Sequence, residues 1–482
     1  PEEGAYTGSY LFNAALPDGY ALAEDAPALT VTVKFGGVAV LEATVHSGDH
    51  SHPICGAAHK DIGDHKGTCE AVEWIEWDGT SEITYDSNNT AYVYLKDNVT
   101  LDDTLNVKRG YTLYLCLNGY SITESGDDEV INVLDSASLI LCNCQNGGTI
   151  THSDSVPGKG VRVGAGGSNA VFIMYGGKIS GNSTDASCGG SGGAGVEIHS
   201  GTFKMYGGKI TDNNVKERTN YGGGGVCAHS GGSFYMYGGE ISNNESSTDG
   251  GGVTVWGYGS FKMYGGTISG NKATGDGGGI CTNASLTISS GTINGNTATG
   301  DGGGIWTNEY LKIDDNSTIN GNKAAEGGGV YYNGSSIMQI QDSKVTQNKA
   351  TDGGGIYVNN SSTLGMRNSS ITGNTVTGNG GGVYNNGMFQ ISGNTEISGN
   401  TKNSVGNNVY LPTNKFINIT GTLTGSKIGV TTEATPSSSS YIRIATGNKK
   451  YADPEKFLYE NDGTLSVSAV ISGSTAKLVV CV

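Results

Sequence analysis

The sequence predicts an all-β chain, a right-handed three-sheet parallel β-helix. Three observations carry that expectation: a repeat close to 26 residues, short alternating apolar segments within each repeat, and glycine placed for tight corners. Glycine accounts for 81 of 482 residues and proline for only 8, yet 35% of the chain is hydrophobic and 25 residues are tyrosine. A disordered glycine-rich chain would lack the large apolar residues, so the composition fits many short strands joined by sharp turns.

The repeat has three elements. A glycine cluster followed by Val or Ile places Val196, Val226, Val253, Ile280, Ile305, Val330, Ile356, Val383 and Val409 in equivalent positions, the last six intervals being 25 to 27 residues. A segment of the form Phe-x-Met-Tyr-Gly-Gly-x-Ile begins at Phe172, Phe203, Phe234 and Phe261, and softens later to pairs such as Leu286/Ile288 and Leu364/Met366. Ile/Val-x-x-Asn closes each unit, at Asn182, Asn213, Asn244, Asn271, Asn296, Asn322, Asn348, Asn374 and Asn400. No unit buries its apolar face alone, so the units must stack, with like residues about 4.8 Å apart along the axis. The period is too short for a propeller blade of about 40 residues, and the leucine-rich horseshoe consensus is absent. About eleven coils are expected over residues 85–415, with the Asn column pointing inward as an amide ladder.

The flanks read differently. Residues 1–46 hold Leu29-Thr-Val-Thr-Val-Lys-Phe-Gly-Gly-Val-Ala-Val-Leu41, a hairpin-like pattern that fits part of an Ig-like β segment. Residues 47–84 form a His/Cys-rich segment and N-terminal cap, in which His50, His52, Cys55, His65 and Cys69 are candidate ligands for a structural zinc ion. A Cys55–Cys69 disulfide is the alternative, and a catalytic metal a further one. Residues 416–482 lose the glycine rhythm; Tyr441-Ile-Arg-Ile and Ala476-Lys-Leu-Val-Val480 fit strands of a C-terminal β cap.

Charge narrows the function classes. A net charge of −17 argues against nucleic-acid partners and anionic membrane surfaces, and no apolar run is long enough for direct membrane insertion as a helix. The chain opens Pro-Glu-Glu-Gly without a signal peptide, as a mature form or an excised fragment would.

The residue after each Val/Ile forms one column: Glu197, Cys227, Thr254, Cys281, Trp306, Tyr331, Tyr357, Tyr384 and Tyr410, read as facing outward. Its last five members, Trp306, Tyr331, Tyr357, Tyr384 and Tyr410, are the candidate ligand-binding face, since ordered aromatics suit sugar rings or a protein partner. The bland reading is that they only stack on one another. A second row, Tyr175, Tyr206, Tyr237 and Tyr264, fits simple stacking. Asp249, Asp276, Asp301, Glu326 and Asp352 precede the glycine clusters; stacked carboxylates repel unless compensated, which Lys272, Lys323 and Lys349 could supply, and a run of solvated charge is the expectation ahead of a calcium site. Asp315, Asp342 and Asn368 share one column, with Asp314, Gln341 and Arg367 in the next, as a paired-carboxylate enzyme would need. Catalysis is not the expectation, because only five Arg occur and no long inserted loop walls a cleft.

The His-x-His-x-x-Cys-Gly stretch at 50–56 with its Trp-x-x-Trp sequel, Leu-Cys-Leu-Asn-Gly at 115–119, the Met-Tyr-Gly-Gly-x-Ile repeats and Lys-Ile-Gly-Val at 427–430 resemble large repetitive surface proteins of gut Firmicutes. The resemblance implies a secreted, cell-surface, adhesin-like protein whose partner is a host glycan or host protein. Immunoglobulin binding of a superantigen-like kind and polysaccharide cleavage are the alternatives.

Overall fold

The computed structural model describes residues 74–482, apart from 154–155, 165–168, 186–191, 218–221, 426, 438–439, 462 and 482, together with the backbone of 29–35, 38–45, 51–53 and 71–73. It divides into two units, residues 1–74 and 75–482. In the first, Leu29–Phe35 pairs antiparallel with Val38–Val45 as the alternation predicts, and Ser51–Pro53 pairs antiparallel with Ala71–Glu73. His52 sits in that second pair; His50, Cys55, His65 and Cys69 lie outside the described residues.

The second unit is a parallel β-helix. Its first face (face A) runs from Ile75–Trp77 to Ile442–Asn448 and carries the Phe-x-Met segments, Phe172 aligned with Phe203, Phe234 and Phe261. Face B carries the Ile before each Asn, and face C the Val/Ile after each glycine cluster; the two ladders converge on Ile428–Thr432. Fifteen parallel strands on face A bound fourteen turns, more than the eleven expected. The additional turns lie past residues 85 and 415, where the strands persist but the sequence repeat has decayed. Val467–Ser472 and Thr475–Val480 then add two antiparallel strands to face A, so the segment after 415 is coil first and cap only at its end. A short fourth ladder of two-residue strands, such as Lys272–Ala273 and Thr297–Ala298, follows the Asn column and was not foreseen.

Period-2 alternation drives the packing. In Thr202–Met205 and its equivalents the inward Phe and Met are fully buried, and successive Phe rings stack at 4.6–5.0 Å within 8° of parallel. Each fully buried side chain of this kind contributes about 1.5–3 kcal/mol.

The Asn column is inward and buried, as expected. Asn322 is typical: its Nδ2 donates to the Ile293 carbonyl at 3.1 Å and to Asn348 Oδ1 at 2.9 Å, while its Oδ1 accepts from Asn296 N and Nδ2 at 2.9 and 3.0 Å. The amides all point one way, oxygens toward the N-terminal end. Each end of the ladder meets a polar side chain. His152 Nδ1 meets Asn182 Oδ1 at 2.9 Å, and Nε2 meets the Asp128 carbonyl at 2.7 Å. The buried Glu124 carboxylate lies 3.7 Å from Nε2. At the other end Asn408 continues the ladder and donates N and Nδ2 to the Glu460 carboxylate.

Candidate functional site

The face C column is the candidate site, and the structure divides it. Registers align Glu197 with Cys227, Thr254, Cys281, Trp306, Tyr331, Tyr357, Tyr384 and Tyr410 in unbroken succession. Trp306 and the four tyrosines are half-buried, with their outer portions in solvent. Glu197, Cys227, Thr254 and Cys281, expected to face outward, are instead 0–1% exposed. The reason is the glycine corner. Gly277 has φ +65° and sits so close that a Cβ there would be 2.6 Å from Cys281 Cβ; Gly380, at φ +69°, would meet the Tyr384 backbone N at 2.6 Å. The corner folds over the column: it covers the small Cys227, Thr254 and Cys281 and leaves the end of an aromatic side chain exposed, while the longer Glu197 is enclosed with its ion partners.

The tyrosines stack on one another. Tyr331–Tyr357 and Tyr357–Tyr384 have centroids 5.1 and 4.8 Å apart at 17° and 9°, and Tyr384–Tyr410 is tilted at 37°. Ring faces are therefore largely covered by neighbouring rings. The row presents ring edges and hydroxyls at the strand spacing, a different surface from an open aromatic platform. The Tyr175/Tyr206/Tyr237/Tyr264 row stacks in the same way, at 4.6–5.2 Å.

The acidic column runs beside the tyrosines, and its compensation differs from expectation. Asp249 Oδ1 accepts Asp276 N at 2.8 Å, Asp276 Oδ1 accepts Asp301 N at 2.8 Å, and Asp301 Oδ1 accepts Glu326 N at 3.1 Å. Backbone N–H groups, not lysines, meet these carboxylates, while Lys272 pairs with Glu245 at 2.8 Å. Burial, then like-charged neighbours, raises Glu326 above its ordinary value; burial also leads the rise in Asp276 and Asp301. Burial first, then Asp301 and Glu326, pushes Tyr331 up to about 12, so its phenol is a neutral donor at physiological pH.

The column proposed for paired carboxylates falls at exposed corners of the coil. Asp315, Asp342 and Asn368 have φ of 52°, 49° and 49°, corner positions where Asp and Asn tolerate left-handed backbone. Asp314 pairs with Lys312 and accepts from Ser289 Oγ at 2.6 Å.

One polar cluster escaped the sequence reading. Glu197 Oε2 meets Lys159 Nζ at 2.8 Å and Arg162 Nε at 3.4 Å, and Oε1 meets His229 Nε2 at 3.1 Å. Arg162 also reaches Glu129 at 3.5 Å. His199 packs edge-on against His229 at 4.9 Å, and burial, then His229, holds its imidazole below the ordinary value. Lys159 lies 38 residues before its partner, in coils whose spacing departs from the period, so no repeat signal joins them. Among the described residues no group of three His, Cys, Asp or Glu side chains is arranged to hold a metal ion.

Residues 206–368 match the family model described as a right handed beta helix region. No curated protein and no solved structure matches the chain. The match agrees with the parallel coils and defines a class, right-handed β-helix repeat proteins, whose fold is consistent with surface binding and with polysaccharide-related roles.

Proposed function

We propose that the protein is a secreted or cell-surface, adhesin-like binding protein that engages host glycans or host proteins through the Trp306–Tyr410 column. The observation that supports this reading is the strip on face C where tyrosine edges run beside the Asp301/Glu326/Asp352 carboxylates. Hydroxyls and carboxylates repeated at strand spacing suit a ligand that presents hydrogen-bonding groups over several coils, and the ring edges add apolar contact. Of the carboxylates that a catalytic reading would use, Asp314 is taken up by Lys312 and Ser289, which weighs against a paired-carboxylate site there.

The test is the triple variant Tyr331→Ser, Tyr357→Ser and Tyr384→Ser, compared with the parent on a glycan array and in pull-downs from host proteins, immunoglobulin included. Loss of at least tenfold in binding with the fold retained is expected. Equal binding by the folded variant would refute the reading, and release of reducing ends from polysaccharide would establish the enzyme instead. We further propose that His50, His52, Cys55, His65 and Cys69 supply ligands for a structural zinc ion. Elemental analysis of metal-replete protein should find zinc; its absence, with a Cys55–Cys69 bridge by mass spectrometry, would overturn the assignment.

A further inference from the structure

The strict repeat leaves little room for a cleft, so the place where it breaks is the place to look. On either side of Ile417–Leu423 and Ile428–Thr432 the corners joining face C to face A lengthen. A cavity of about 230 Å³ opens between the turn at 412–416 and the start of Ile442–Asn448, lined among others by Thr413, Lys415, Phe416, Tyr441 and Arg443. It begins one residue after Tyr410, at the end of the tyrosine row. Beyond Tyr410 the aligned residue in the next coil is Thr431, so no further aromatic ring continues the stack.

The cavity's charge is opposite to that of the chain. Against a net charge of −17, two cations line it. Arg443 lies with its guanidinium 3.5 Å over the Phe416 ring, which fixes the plane of the fork. Arg109 and Arg162 each hold a carboxylate, at 3.0 Å and at 3.4–3.5 Å. The Arg443 guanidinium, half-buried in the cavity wall, has no such acidic partner and no hydrogen bond among the described residues, so its donors remain available. Lys415 Nζ donates to Asn360 Oδ1 at 2.9 Å, a neutral partner, and meets no carboxylate among the described residues. The acidic group of this turn is Glu433, whose Oε2 is occupied by Thr413 N and Oγ1 at 2.8 and 2.7 Å. A planar fork with open donors, a second cation, aromatic walls and the Thr413 oxygen, left as an acceptor for a sugar hydroxyl, form a constellation that recognises a carboxylate carried on a ring with hydroxyls.

We propose that this cavity is a subsite for a carboxylate-bearing sugar residue, the anionic end of a glycan lying along the tyrosine row. The inference rests on the glycan form of the proposed function. It assigns to the row a polarity, with the acidic sugar at the Tyr410 end.

Titration calorimetry on the full chain tests it, with oligosaccharides ending in glucuronic acid or N-acetylneuraminic acid and their methyl esters as probes. The esters keep the ring and hydroxyls and remove the charge. The acids should bind at least on the order of tenfold more tightly than the esters, and the preference should shrink as salt is raised. Arg443→Gln should abolish the preference, and Arg443→Lys should restore part of it. Equal binding of acid and ester, or an unchanged preference in Arg443→Gln, would overturn the subsite while leaving the tyrosine row standing. If the parent binds neither these probes nor any neutral glycan, the glycan reading falls and the subsite with it. Should Arg443→Gln fail to fold, the acid–ester comparison on the parent and Lys415→Gln decides the matter.

Discussion

Two stretches of one column, 197–281 and 306–410, occupy equivalent positions on face C and differ in almost every physical respect. The first begins with a buried ion network around Glu197 and continues through Cys227, Thr254 and Cys281, all enclosed beneath the glycine corner. The second carries Trp306 and four tyrosines past the same corner into solvent. From Gly250 to Gly380 the corner glycine keeps φ between +61° and +69°, so over those coils the side chain decides whether a coil closes its surface or presents one; at Gly193 and Gly223, with φ of +109° and +141°, the corner differs as well. Over the coils with the shared corner the β-helix is thus a uniform scaffold on which a single position per coil sets the local surface.

If that contrast is sound, disrupting the enclosed half should cost the most stability. Glu197→Ala removes one carboxylate and leaves Lys159, Arg162 and His229 without their central partner in a site where Glu197 itself is 1% exposed. A loss of about 3–5 kcal/mol is expected from breaking a buried ion pair by removing one partner. Urea denaturation measures it. A loss below about 1 kcal/mol would mean that the cluster is solvated and the two halves are less distinct than the burial indicates.

The Asn ladder offers an internal control, because it runs through both halves. Asn213→Leu lies beside the enclosed half and Asn322→Leu beside the aromatic half. Asn213 Nδ2 donates to Ile179 O at 3.0 Å and Asn244 Oδ1 at 2.9 Å, matching the Asn322 contacts closely. Each substitution strands amide partners in adjacent coils, at about 1–3 kcal/mol for each buried group left unpaired. Both variants should lose similar stability, within about 0.5 kcal/mol of each other. Unequal losses would show that the coils differ in more than the face C column.

The period, the inward Asn, the Phe and Met stacks and the alignment of Trp306 with the tyrosines were all legible, because each follows from repetition and alternation alone. What the sequence hid follows from geometry that repetition does not encode. The left-handed glycines at 277 and 380 bring the corner over the column, which buried Cys281 against expectation. The caps His152 and Glu460 stand where the Ile-x-x-Asn spacing fails, and Glu460 meets Asn408 from 52 residues away. The lysines expected to neutralise the acidic column lost to backbone N–H groups that the parallel register brings closer. The cavity at Arg443 lies beyond the repeat, in coils whose strands persist without the glycine rhythm that revealed the others.

The acidic column gives the smallest effect and the finest test of the exposed half. Asp276, Asp301 and Glu326 are raised above ordinary values of 3.8, 3.8 and 4.5, with burial as the first cause in each. An acid whose folded value is raised favours the folded state in its protonated form. Its contribution is therefore present below pH about 4 and is lost as pH rises through the raised value. These three groups should make stability fall as pH rises from about 4 toward neutrality, a slope opposite to that of a salt-bridged carboxylate. Asp301→Asn isolates the effect: Oδ1 still accepts the Glu326 N–H, and the charge is gone. The column already holds one amide, Asn379 after Asp352, whose Oδ1 accepts from Lys402 Nζ at 3.1 Å. The variant should gain on the order of 0.5 kcal/mol at neutral pH and low salt, the size expected of half-exposed charges, and the gain should vanish below pH about 4 and shrink in high salt. Parallel denaturation series at pH 4 and 7 read both arms. A variant destabilised at pH 7 would show that the ionised column binds a cation whose attraction outweighs the repulsion, and the strip beside Tyr331 would then be a cation site, not a run of compensated acids.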